Sequence, residues 1–466
     1  MKEKTAGSLP VQGETVAAVS TPHGTGGIAV IRISGEKALE TAKRIFLPAS
    51  GDDVSALEAN RAVYGSILCE NEAIDDGILT VFRAPRSFTG EDVAEISCHG
   101  GVLLTAKVLE AALLAGARQA RPGEFSERAF LNGKISLSQA EATVDLIGAE
   151  NEHQLRLASK NAQGALTRRV DGICEELTAL LAQVYVTIDY PDEDLSDMTA
   201  GEMRERLSLA INKTEKLLYT YKTGAAVAHG IPTVIVGRPN VGKSSLLNML
   251  LGRQRAIVTE YEGTTRDTVE ETATLGKITL NLCDTAGLRR TDDPVEKLGV
   301  ERSYEKLAEA ELVFAVFDGA EEARDEDRAL IGMLKEARKP TVAIINKSDK
   351  KQVFDLRLTA AFPTVVLSTA EKEPPEELAA AVEKLTAEGG LSSLDEGLIT
   401  NARQAAAAEN ALCALKRARA ALDAHALPDV AALDVEEALS ALRAIDGRAV
   451  GEEIVGAIFS RFCVGK

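Results

Sequence analysis

The sequence predicts a multidomain chain of α/β and α class: an α+β region first, then a helical domain in two segments with a parallel-sheet unit inserted between them. Three observations carry this. Short β-rich runs broken by glycine turns fill the first 125 residues, and helical apolar periods flank the middle of the chain. Between those periods, short apolar strands alternate with helices, the pattern of a parallel sheet with crossover helices. The 466 residues suffice for about three domains. Composition places the boundaries at 1–125, 126–227, 228–388 and 389–466.

In the first region Glu14–Ser20 alternates as a strand, Thr21–Gly27 is a glycine-rich loop and Ile28–Ile33 is a second strand. Arg61–Leu68 and Ile78–Phe82 read as further strands, and Leu103–Ala115 as an amphipathic helix. Val170, Ile173, Leu177, Leu180 and Val184 then step by 3, 4, 3 and 4, a buried helical seam. Pro191 ends that helix, a second run passes through Leu217 and Leu218, and Gly224–Gly230 reads as a linker. Strands Thr233–Val236, Lys277–Leu282, Leu312–Phe317, Thr341–Ile345 and Thr364–Leu367 make the inserted unit, which one helix after Pro374 and Pro375 and then Gly389 and Gly390 close. In the last segment Leu433, Ala438, Leu442 and Ile445 line one face. Neither helical segment alone encloses much core, so packing them together buries both stripes.

Apolar residues at 45% and charged residues at 27% exclude disorder as the main state. With 53 basic against 71 acidic residues the net charge is -18, so any nucleic-acid contact must use a local patch or a partner. Aromatic content of 4% without Trp leaves few stacking platforms for single strands. No apolar run approaches the roughly 18 residues of a membrane span, and Met1–Pro10 lacks the apolar core of a signal peptide. Cys69, Cys98, Cys174, Cys283, Cys413 and Cys463 stand apart without a CxxC pair, which suggests neither zinc nor a disulfide framework. A reducing cytoplasm and no membrane association are the expectation.

Directly after the strand at 233–236 stands Gly237-Arg-Pro-Asn-Val-Gly-Lys-Ser244, fitting GxxxxGK[ST] with a strand before and a helix after. Its glycines let successive N–H groups curl round a phosphate, Lys243 adds a charge and Ser244 offers a hydroxyl to Mg²⁺. Thr264 and Thr265 follow in a polar loop, where Thr265 can complete the Mg²⁺ shell. Asp284-Thr285-Ala286-Gly287 follows a strand end, its Asp suited to a Mg²⁺ water and its Gly to the γ-phosphate. In Asn346-Lys347-Ser348-Asp349 the final carboxylate can accept both the N1–H and the amine of guanine, which adenine cannot satisfy. Ser368-Thr369-Ala370 after the last strand closes over the base. Four motifs in order on alternating strands predict a Ras-like P-loop GTPase unit that takes GTP, not ATP.

The residue after Gly287 is Leu288, where a Ras-like switch carries a water-orienting Gln. Asn240 presents a neutral oxygen suited to holding a monovalent cation beside the phosphates, replacing an arginine finger. Glu296 reads either as a water-orienting carboxylate or as a solvated acid at a helix N-terminus beside Pro294. Cys463 reads either as a thiolate beside Lys466 or as a small packed residue.

With these motifs placed, the chain resembles the MnmE (TrmE) family of tRNA-modification GTPases. The resemblance rests on TPHGTGGIAVIRISG at 21–35, SFTGEDVAE at 87–95, RPGEFSERAFLNGK at 121–134, GRPNVGKSSLLN at 237–248, EGTTRD at 262–267, DTAGLR at 284–289 and FCVGK at 462–466. His23, Thr25 and Val464 depart from the common pattern. The resemblance implies an N-terminal domain that binds a tetrahydrofolate derivative (5-formyl- or 5,10-methylene-) and dimerises, a discontinuous helical domain and an inserted G domain. It implies a homodimer that joins the FAD protein MnmG (GidA) in a heterotetramer or larger complex. Together they place an aminomethyl or carboxymethylaminomethyl group on C5 of the wobble uridine of certain tRNAs, with FAD entering only through the partner. It also implies potassium-dependent hydrolysis coupled to G-domain dimerisation.

Residue by residue, the resemblance assigns GTP contacts to Asn240, Val241, Gly242, Lys243, Ser244 and Ser245, and to Thr259, Glu260, Tyr261, Glu262, Gly263, Thr264 and Thr265. The DxxG, NKSD and STA residues named above complete that set. It assigns K⁺ to Asn240, Thr259, Tyr261 and Thr264, Mg²⁺ to Ser244 and Thr265, water orientation to Glu296, and folate to Arg32, Glu95, Lys134 and Lys466. A carboxylate such as Glu95 can pair with adjacent pterin N–H donors, and basic residues suit a glutamate tail. The competing reading is a ribosome-assembly or signalling GTPase without modification activity. Such a factor is expected to carry a basic RNA-binding module, which this acidic chain lacks.

Overall fold

The computed structural model describes residues 13–189, 199–252, 271–276, 278–282, 310–371, 373–386, 396–460, 462, 464 and 465. The chain divides into two compact units, residues 1–144 with 443–466 and residues 145–442.

In the first unit the strands are β1 Val16–Val19, β2 Ile28–Ser34, β3 Phe46–Pro48, β4 Ala62–Cys69, β5 Glu72–Phe82, β6 Val93–His99 and β7 Arg118–Gln119. They form one sheet in the order β3-β4-β5-β6-β2-β1-β7, antiparallel except for β1 with β7. Alternation turns Ile31 and Ile33, Leu79 and Val81, and Ala94 and Ile96 into a core closed by α1 Ala38–Ile45 and α2 Val102–Leu114. The opposite face of β1 is covered as well, since Val16 and Ala18 pack with Ala120 and Phe125. Strands β3, β6 and β7 and helix α1 are additional to those read from the sequence. Helices α3 Glu124–Leu131 and α4 Leu137–Ile147 follow.

The second unit opens with α5 Glu152–Ala162, α6 Ala165–Asp189 and α7 Ala200–His229. The seam Val170, Ile173, Leu177, Leu180 and Val184 is buried on α6. Residues 224–230 are not a linker: α7 runs on to His229, and Gly230 ends it with φ 77°. The alanine-rich stretch after Gly224 favours helix, and the glycine serves a close crossing. A Cβ at Gly224 would lie 2.1 Å from the carbonyl oxygen of Ile399.

Next come β8 Ile231–Val236, α8 Lys243–Leu251, β9 Glu271–Leu275, β10 Ile278–Leu282, β11 Leu312–Asp318, α9 Asp325–Ala337, β12 Thr341–Asn346, β13 Thr364–Val366 and α10 Glu376–Thr386. The sheet order is β13-β12-β11-β8-β10-β9. Its strands are parallel except β9, which pairs antiparallel with β10 and makes the sheet mixed rather than parallel throughout. One face packs on α8 and α10 and the other on α9, so the central strands are apolar along their length. Helices α11 Ala402–Asp423 and α12 Pro428–Ile445 complete the unit, with α11 lying along α7.

On α12, Ala438, Leu442 and Ile445 are buried together with Val435, but Leu433 is 67% exposed. Five residues before Ala438, it lies about 140° round the helix and out of phase with that face. The chain then returns to the first unit. On α13 Glu452–Phe459 and just beyond it, Val455, Phe459 and Phe462 pack with Leu137, Ala140 and Phe130. Ser138 Oγ donates to Asp446 Oδ1 at 2.6 Å. Residues 443–466 therefore belong to the same compact unit as residues 1–144, and the partners just named fall within the 126–227 segment that composition pairs with 389–466. A helical period reveals a buried face but not which surface covers it.

Gly224→Ala is expected to lower stability by about 2 kcal/mol through overpacking against Ile399. Gly172→Ala, with open space at its Cβ in the middle of α6, is expected to raise it by up to about 1 kcal/mol. Chemical denaturation of the two variants checks this; equal effects would contradict the close crossing.

Candidate functional site

The loops at the carboxyl ends of β8, β12 and β13 meet at one rim of the second sheet, where open parallel sheets bind ligands. Gly237 has φ 153°, a backbone conformation that residues with a side chain rarely adopt, and passes so close to β11 that a Cβ would lie 2.4 Å from the Val316 carbonyl oxygen. Asn240 and Gly242 adopt left-handed conformations with φ 65° and 103°, curling the loop onto the N-terminus of α8. That arrangement of backbone N–H groups and helix end is an anion site. Lys243 Nζ donates to the carbonyls of Gly237 and Arg238 at 2.8 and 2.9 Å. Val241 is buried, Ser244 is half-buried in the first turn of α8, and Ser245 is exposed.

Asn346 fastens this loop to the others. Its Nδ2 donates to the Val241 carbonyl at 2.7 Å and its Oδ1 accepts the Thr369 N–H at 3.0 Å. Gly242 is required beside it, because a Cβ there would lie 2.1 Å from Asn346 Nδ2. Asp349 Oδ1 accepts from Ser368 Oγ at 2.6 Å, a bond that holds its carboxyl below the ordinary value and keeps it ionised. The Ser348 N–H donates to the Leu367 carbonyl at 3.1 Å. Lys347, at φ 65°, pairs with Asp318, which sequence reasoning did not select. Arg238 was missed as well. Its side chain is 6% exposed and runs into three carboxylates, and the only signal for it in the sequence is an arginine inside the phosphate loop.

The structure thus gathers residues 240–245, 346–349 and 368–370. Thr259, Glu260, Tyr261, Glu262, Gly263, Thr264, Thr265, Asp284, Thr285, Ala286, Gly287 and Glu296 lie outside the described residues, as do Cys463 and Lys466.

In the first unit Arg32 and Glu95 are register partners on β2 and β6, and Arg32 Nε donates to Glu95 Oε1 at 2.8 Å. The Arg32 guanidinium lies 5.5 Å from the ring centroid of Phe88 and 5.6 Å from that of Phe125. Lys134 Nζ donates to the Pro85 carbonyl, in the same 83–92 loop that carries Phe88. Gly465, next to Lys466, is laid against β1, its carbonyl accepting from Ser20 Oγ at 3.1 Å. Planar cationic and anionic groups beside aromatic rings suit a flat heterocycle with adjacent N–H donors.

Behind Phe125 the 121–134 block holds buried charges that the sequence analysis did not single out. Glu124 is 0% exposed and accepts from Arg118 Nη2 at 2.7 Å, the Arg121 N–H at 2.8 Å and Arg128 Nη2 at 3.0 Å. Arg128 Nη1 reaches the Glu14 carbonyl and Glu91, and Ser34 Oγ also donates to Glu91. Burial pushes the Glu124 carboxyl up, but the bonds from Arg118, Arg121 and Arg128 outweigh it and hold the group at about 2. Glu127, paired with Arg121 at 2.9 Å, is instead pushed up by burial.

Comparison with known proteins finds relatives along almost the whole chain. The family model for the MnmE helical domain matches residues 137–463, and that for the GTP-binding protein TrmE N-terminus matches residues 15–134. A tRNA modification GTPase MnmE of Symbiobacterium thermophilum is 42% identical over 458 residues, covering 97% of this chain and 99% of the relative. Relatives of the same name from Clostridioides difficile and Geobacillus kaustophilus are 39% and 40% identical, again covering 97% of this chain and 99% of each relative. Among the described residues no helix is long and apolar enough to cross a membrane.

Because its folded-state acidity lies below the ordinary 4.5, Glu124 contributes stability that is present above that value and lost as pH falls toward about 2. Glu124→Gln is expected to cost about 3 kcal/mol at neutral pH and to flatten the loss of stability on acidification between those values. Denaturation across pH checks both, and an unchanged acid profile would contradict the assignment.

Proposed function

The chain belongs to the MnmE family of tRNA-modification GTPases, and on that premise we propose that it hydrolyses GTP as one component of the enzyme that modifies C5 of the wobble uridine of certain tRNAs. The observation that carries the reading is the Asn346 brace, which ties the phosphate loop to the Ser368–Ala370 loop, whose Ser368 hydroxyl holds an ionised Asp349. In the proposed mechanism Asp349 accepts the guanine N1–H and amine, and Lys243 exchanges its two loop carbonyls for phosphate oxygens. Ser244 and Thr265 hold Mg²⁺, while Asn240, Thr259, Tyr261 and Thr264 hold K⁺. The Asn240 amide and the Ser244 hydroxyl are the hard oxygen donors such ions take. The ions supply counter-charge to the phosphates when bound. Glu296 orients the attacking water, a role Leu288 cannot fill.

We extend the proposal to the rest of the chain on the family premise. Residues 1–125 form the folate-binding and dimerisation domain, 126–227 and 389–466 the helical domain, and 228–388 the G domain. Arg32, Glu95, Lys134 and Lys466 hold a tetrahydrofolate derivative, which supplies the one-carbon unit. The homodimer works in the cytoplasm with MnmG (GidA), whose FAD completes the chemistry.

The test is nucleoside analysis of tRNA from a strain lacking this chain, complemented by the wild type or by Asn240→Ala, with GTP turnover measured in potassium and sodium salts. The reading expects wobble-uridine modification to need the wild-type chain, and turnover to fall sharply in sodium for the wild type but little further for Asn240→Ala. Normal modification without the chain would overturn the tRNA function, and equal turnover in both salts would overturn the potassium role.

A further inference from the structure

Buried charges cluster behind the phosphate loop. Asp318, at the end of β11, is 3% exposed, and its Oδ2 receives Lys347 Nζ at 2.5 Å. Arg238 Nη2, from the phosphate loop, stands 3.9 Å from that same oxygen. Arg238 is pinned further by Glu321 Oε2 at 2.8 Å and Asp327 Oδ2 at 3.3 Å. Asp318 is itself held in place, since its Oδ1 accepts the Ala320 N–H at 3.0 Å and the adjacent Gly319 N–H donates to the Asn346 carbonyl. A cavity of about 300 Å³ opens beside the cluster, lined by Arg238, Pro239, Asn240, Asp318 and Lys347 among others.

Burying ion pairs adds little net stability compared with apolar packing, so what this cluster contributes is position. Two cations from the two loops that hold opposite ends of the nucleotide share one carboxylate oxygen. We propose that Arg238 and Asp318 are positioning residues for guanine-nucleotide binding: Asp318 fixes Lys347 against the base and ribose, and Arg238 ties that placement to the phosphate loop. The proposal rests on the reading of this rim as a guanine-nucleotide site. Without Asp318, Lys347 is free to swing and Arg238 leans wholly on Glu321 and Asp327. Without Arg238, Asp318 keeps Lys347 but the two loops are no longer coupled.

The test measures binding of a fluorescent GDP and of IDP to the full chain and to Asp318→Asn, Arg238→Gln, Arg238→Lys and the double variant Arg238→Gln/Asp318→Asn. GDP affinity is expected to fall about tenfold in Asp318→Asn and about fivefold in Arg238→Gln, with the double variant no weaker than Asp318→Asn, the non-additivity of one coupled network. Arg238→Lys should recover only part of the loss, because one ammonium cannot meet through a single nitrogen the carboxylates that Nη2 and Nε reach separately. The GDP-to-IDP ratio should stay constant, because Asp349 still reads the exocyclic amine, and steady-state loss should fall on KM rather than kcat. Single variants that bind within twofold of wild type, losses that multiply in the double variant, or a loss confined to kcat would each overturn the relay. Should Asp318→Asn fail to fold, the Arg238→Gln loss and its partial recovery in Arg238→Lys still decide. A wild-type chain that binds ADP as well as GDP would instead strike the underlying guanine reading.

Discussion

One buried side chain makes the second unit's rim a site rather than three neighbouring loops. Asn346 is 1% exposed and spends both ends of its amide on other loops, one on the phosphate loop and one on the loop after β13. A buried amide left half-satisfied costs about 1–3 kcal/mol, so the position of each loop is enforced by the others. The glycine opposite it follows from the same constraint, since any side chain at Gly242 would occupy the space of the Asn346 amide. Asp349 and Lys347 then inherit their places from a strand end already fixed.

The first unit uses a different device to the same end. Glu124 sits with no exposure among Arg118, Arg121 and Arg128, and the arginines extend the tie to Glu14 and Glu91. Phe125, the next residue, lies under the Arg32 guanidinium. Glu124 is matched by several donors, the condition under which such a network specifies geometry rather than simply costing desolvation. The Arg32–Glu95 pair is presented on this rigid base.

Much of this organisation was legible in the chain itself. Glycine spacing located the phosphate loop, and the 3–4 period found the α6 seam, because both are local rules with local causes. Legibility stopped where the cause lay far away in sequence. Gly224 looked like the start of a linker because nothing near it reveals that the backbone of Ile399 crosses there. Strand β9 went unnoticed because Glu-Thr-Ala-Thr-Leu alternates over only five residues at a sheet edge. Leu433 was grouped with a face it does not share, since its spacing to Ala438 is five residues rather than three or four. Arg238, Glu124 and Arg128 carry charges that composition assigns to the surface, and only the folded chain brings their carboxylates and guanidiniums together.

The most direct measurement of the central claim is GDP affinity of Asn346→Ala in the full chain, with cooperative unfolding monitored alongside. Loss of the brace is expected to weaken binding by about thirtyfold or more while the chain still unfolds cooperatively, the cost of two buried partners left unsatisfied. Binding within about threefold of the wild type would show that the loops hold their places without it, and would contradict the account.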